Sequence, residues 1–77
     1  VGTLVRMTDS ELREQSFEIA WNVLERSGDL GDPLAAAHFL LGTIDRMMRG
    51  GERRRLLLSN AAIDAYRLRY EPFVLAS

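Results

Sequence analysis

The sequence predicts an all-α fold: three helices in one small domain, completed by homo-oligomerisation. Three observations predict it. Apolar residues recur at helical rather than alternating spacing, helix-boundary residues fall in order around two tight turns, and hairpin strand signals are absent. Helices are expected over about residues 8–27, 33–49 and 52–70, with short tails at 1–7 and 71–77. No repeat, low-complexity tract or linker divides the chain.

The first helix opens at "TDSE", where Thr8 can cap and Glu11 can reach back in the S/T-x-x-E pattern of a capping box. Leu12, Ile19 and Val23 then fall on one line, and Phe17, Ala20, Trp21 and Leu24 on its neighbour. Gly28 ends the run, as glycine does when a helix closes in the left-handed conformation. "GDLGDP" is a turn, in which Asp32 supplies a cap and Pro33 the first helical position of the second helix. That helix carries Leu34, Ala37, Leu41, Ile44 and Met48 on one stripe and ends at Gly50-Gly51. The third, "ERRRLLLSNAAIDAYRLRY", has one stripe of Leu56, Ser59, Ile63, Tyr66 and Tyr70 and a second of Leu57, Ala61, Ala65 and Leu68. Pro72 forbids its continuation.

With 77 residues, the chain buries only about 60% of the surface it exposes when unfolded, so its stability as a monomer is thin. It has no cysteine, which removes disulfides and thiolate metal sites as sources of stability and leaves helix packing or oligomerisation. The same absence favours a cytoplasmic location. No apolar run approaches the roughly 18 residues of a membrane span, and "VGTLVRM" lacks the layout of a secretory signal, so no membrane association is expected. Every basic residue is arginine, which is read as a GC-rich bacterial coding bias. Met7 directly precedes the capping box and stands beside the Val1 region as a candidate native start.

The formal charge of −1 hides an asymmetry. Residues 1–44 hold three arginines against seven acids, and residues 45–69 hold seven arginines against three acids. Opposite signs in two segments mean either a basic interaction face or mutual attraction, within the fold or across a dimer. "RMMRGGERRRLLL" concentrates the question. Arg46 and Arg49 at a helix C-terminus complement its dipole by roughly 0.3–1 kcal/mol. Arg53, Arg54 and Arg55, expected in the first turn of the third helix, oppose the same dipole and need compensation. The acids of the first helix (Glu14, Glu18, Glu25) are the intramolecular candidates, and a bound phosphate is the other.

The apolar faces are wider than one bundle needs. A one-sided helix requires an arc of about 100°, whereas the first helix spreads its apolar residues over roughly 200°. In the second helix, Phe39 lies nearly opposite Leu41 and Met48. Phe17, Trp21 and Phe39, with Gly42 as a point of close helix approach, are therefore the candidate protein interface, and a two-fold homodimer is the favoured partner. The alternative is a nucleic-acid-associated accessory protein that uses Arg53, Arg54 and Arg55, although the acidic balance lacks the expected basic footprint.

Catalysis is not expected. His38 is the only histidine, and Asp45 lies two turns away, about 10.5 Å along the axis, too far to orient it as a base. Its expected place is the edge of the core, and a polar pocket around it would be needed to revive an enzyme reading. No nucleophile elbow, phosphate loop or metal-ligand pattern is present, so no catalytic, cofactor or metal residue is assigned. The function read from sequence is protein contact, with self-association first.

Overall fold

A computed structural model describes residues 7–69. It contains three helices, α1 (Asp9–Arg26), α2 (Pro33–Arg49) and α3 (Arg55–Arg69), packed compactly on one another. No strand occurs among the described residues. The expected tails and the last residue of the expected third helix, Tyr70, lie outside those residues.

Local chemistry sets the helix ends. The Thr8 hydroxyl accepts from the Glu11 amide at 3.1 Å, while the Glu11 carboxylate accepts from the Thr8 amide at 3.0 Å, which completes the capping box. Asp32 accepts from the Ala35 amide at 2.9 Å, with Pro33 as the first residue of α2. α1 and α2 close alike. Behind α1, the Gly28 amide reaches the Glu25 carbonyl and the Asp29 amide the Leu24 carbonyl; behind α2, the Gly51 amide reaches Met48 and the Glu52 amide reaches Met47. Gly28 (φ 75°) and Gly51 (φ 107°) take the left-handed conformation that this double closure requires.

α3 begins at Arg55, three residues later than the sequence suggests. The Glu52 amide is still bonded back to α2, and the Glu52 carboxylate takes the Arg54 amide at 3.0 Å. The first helical bond of α3 runs from the Leu58 amide to the Arg54 carbonyl. Arg53 and Arg54 therefore precede the helix rather than forming its first turn.

The core consists of Leu12, Ala20 and Leu24 from α1, Ala36, Leu40 and Ile44 from α2, and Leu58, Ala62, Ile63 and Tyr66 from α3. Ser16, Thr43 and Ser59 are buried among them. Small residues thus take interior positions on every helix, where they allow close approach of the axes. The stripes expected from sequence are turned in part. Leu34, Leu56 and Leu68 are 68%, 64% and 74% exposed, whereas Phe17, Trp21 and Phe39 pack against the core and are half-buried.

Contacts at the helix ends fix the relative direction of the helices. Arg53 pairs with Asp9 at the start of α1, and Arg67 near the end of α3 pairs with Asp29 just beyond α1. α1 and α3 therefore run parallel, and α2 runs against both.

Candidate functional site

The four residues expected to form one apolar interface are distributed over the surface. Phe17 and Trp21, one turn apart on α1, meet in a tilted pair with ring centroids 5.4 Å apart. Phe39 turns towards α3, meeting the Tyr66 ring edge-on at 5.9 Å and lying under the Arg69 guanidinium at 5.4 Å. Gly42 is exposed, and a Cβ placed on it would meet nothing within 4 Å. Among the described residues no close helix approach accounts for that glycine.

The arginines expected as an anion or partner contact all hold partners within the chain. Arg53 donates to Asp9 at 2.7 Å, Arg54 to Glu52 at 2.9 Å, and Arg55 to the side-chain carbonyl of Gln15. The compensation is intramolecular, as one of the two sequence expectations has it, but it comes to Arg53 and Arg55 from Asp9 and Gln15 of α1 rather than from Glu14, Glu18 or Glu25, and to Arg54 from Glu52 in the turn. Those three glutamates are exposed and form no ion pair among the described residues. The difference follows from the late start of α3, which sets the arginines level with the first turns of α1.

A cavity of about 600 Å³ opens beside this cluster, lined by Met7, Thr8, Leu12, Arg53 and Arg55. Each polar side chain in its lining is already engaged: Thr8 in the cap, Arg53 with Asp9, Arg55 with Gln15. His38 is exposed rather than set into the core edge. Asp45, its nearest acid on that side of the helix, is taken by Arg13 at 3.2 Å and Arg49 at 3.0 Å. Among the described residues no group of three histidine or acidic side chains could hold a metal ion, and no helix is long and apolar enough to cross a membrane.

Two carboxylates at the turns are held below their ordinary range. Asp29 is lowered first by the hydrogen bond from the Ser27 hydroxyl (2.8 Å), then by Arg67 (3.0 Å). Glu52 is lowered first by the Arg54 side chain, then by the Arg54 amide. Both are structural staples that fasten a helix end.

Sequence reasoning missed the outward leucines. Leu34, Leu56 and Leu68 lay on stripes expected to be interior, and no periodicity argument separates inside from outside where apolar residues surround a helix. Compared with known proteins, the chain matches no family model, no curated protein and no solved structure.

Proposed function

We propose that this chain works by protein contact, and that its first partner is a second copy of itself. The observation that carries the reading is the apolar surface left open on the first two helices: Leu34 stands 68% exposed, and Phe17, Trp21 and Leu41 are only half-covered. Full burial of one such side chain is worth about 1.5–3 kcal/mol, which is large against the net stability of a small domain. The charge pattern favours the same partner. Glu14, Glu18 and Glu25 of α1 are exposed and the Arg49 side chain of α2 is 80% exposed, so two identical chains offer each other opposite charge, and a two-fold pair buries one self-complementary patch on each.

The test is solution mass by light scattering on a size-exclusion column, from micromolar to millimolar chain. A mass of two chains that dissociates on dilution is the expected result. A one-chain mass across the whole range would overturn the reading.

A further inference from the structure

We infer that the second copy docks along the groove between α1 and α2, about a two-fold axis parallel to the helices, so that α1 of each chain lies over α2 of the other. The inference rests on the self-association proposed above and names its surface.

The groove is marked by the Arg13–Asp45 ion pair, which crosses from α1 to α2 at 3.2 Å. Phe17 and Trp21 follow Arg13 at one and two turns on α1, and Leu41 and Leu34 precede Asp45 at one and three turns on α2. Four apolar side chains therefore line the same groove as the ion pair. Phe17, Trp21 and Leu41 are only half-covered by their own chain, and Leu34 is 68% exposed.

Charge selects the axis. On α1, Glu14, Glu18 and Glu25 are exposed and, among the described residues, without an ion pair. On α2, the Arg49 side chain is 80% exposed, though it touches Asp45. A two-fold axis lying across the helices would stack α1 on α1 and set these glutamates against each other. An axis along the helices stacks α1 on α2 and brings Glu14 of one copy towards Arg49 of the other, the complementary arrangement.

The same axis fixes the register. Rotation about a line parallel to the helices leaves every residue at its own height, so α1 of the second chain meets α2 at the heights where its own α1 does. The Arg13–Asp45 pair gives those heights. Phe17 of one copy then lies level with Leu41 of the other, and Trp21 level with Ala37, one turn from Leu34. Glu14 and Arg49 are offset by about 7.5 Å along the axis. Each side chain leans towards the N-terminus of its own helix, and in antiparallel helices this brings the two heads together.

The test measures the dimer dissociation constant of the full chain by sedimentation equilibrium for Leu34→Glu, Glu14→Arg, Arg49→Glu, the double variant Glu14→Arg/Arg49→Glu, and Leu68→Arg. The two leucine substitutions place charge of the sign that suits their helix ends, and circular dichroism checks that each variant keeps its helices. Leu34→Glu and each single charge reversal are expected to weaken the dimer at least about tenfold. The double variant should recover to within about threefold of the wild type, since it restores opposite charges across the interface. Leu68→Arg, on α3 and outside the groove, should leave the constant unchanged. A wild-type dimer that Leu68→Arg breaks, while Leu34→Glu and Glu14→Arg leave it intact, would overturn this surface and leave self-association standing. A monomeric wild type would overturn both.

Discussion

Ser16 is the residue where size prevailed over polarity. It is fully buried in the line Leu12, Ser16, Ala20, Leu24, and its Oγ has no hydrogen-bond partner. The other buried hydroxyls differ. Thr43 donates to the Phe39 carbonyl at 2.9 Å, and Ser59 to the Arg55 and Leu56 carbonyls at 3.1 Å. An unmet buried hydroxyl carries its desolvation cost without return. Ser16→Ala is therefore expected to raise stability by about 1 kcal/mol, read as a higher urea midpoint at unchanged slope. A lower midpoint would show that the hydroxyl has a partner. Sequence reading passed over Ser16 because it counts apolar residues. The signal that would have found it is its spacing, one turn from both Leu12 and Ala20.

At the scale of elements, the boundaries were legible and the faces only partly so. Thr8 with Glu11, Asp32 with Pro33, and the glycines after α1 and α2 act through bonds to neighbours within five residues, so four residues in a row carry most of the information. The start of α3 was the exception. Glu52 reads as a helix residue, yet its amide belongs to the closure of α2, and only the three-dimensional path of Gly51 reveals that. Faces depend on distant partners. Where "LLL" at 56–58 offers three directions, the packing of the three helices decides that Leu58 joins the core and Leu56 and Leu57 do not.

Two glycines make the contrast between boundary and interior measurable. Gly51 at φ 107° occupies a conformation that costs an L-residue roughly 1–2 kcal/mol, so Gly51→Ala should destabilise by about that amount. Gly42 sits inside α2 with open space above it, so Gly42→Ala should stabilise the isolated chain by roughly 0.5–1 kcal/mol. Chemical denaturation at micromolar chain gives both values. Equal effects of the same sign would show that the two backbones are not distinguished in this way.

For the whole molecule, the turn carboxylates couple stability to acidity. Asp29 and Glu52 titrate below their ordinary values when folded, so between the folded and unfolded values the unfolded chain binds more protons. Their contribution is fully present above the ordinary carboxylate range of about 4 and is lost as pH falls through the lowered folded values. The chain should therefore lose stability on acidification below about pH 4, and the double variant Asp29→Asn/Glu52→Gln should flatten that part of the curve. Urea midpoints between pH 2 and 6, compared for wild type and variant, would refute the coupling if the two curves ran parallel. The candidate site was less legible than the fold for the same reason that core faces were: Phe17, Trp21 and Phe39 read as surplus in one dimension, and only their neighbours show that Phe39 turns towards α3 while the other two meet each other on α1.

The parallel course of α1 and α3 also decides how the bundle would answer a pull. A force applied between Asp9 and Arg69 enters at one end of the bundle and leaves at the other, because Arg53 anchors beside Asp9 and Arg67 beside Asp29. The seam between the two helices is then loaded in shear along its length. Leu12, Ser16, Ala20 and Leu24 must slide past Leu58, Ser59, Ala62, Ile63 and Tyr66 together, so the chain should yield in one brittle step instead of unzipping turn by turn.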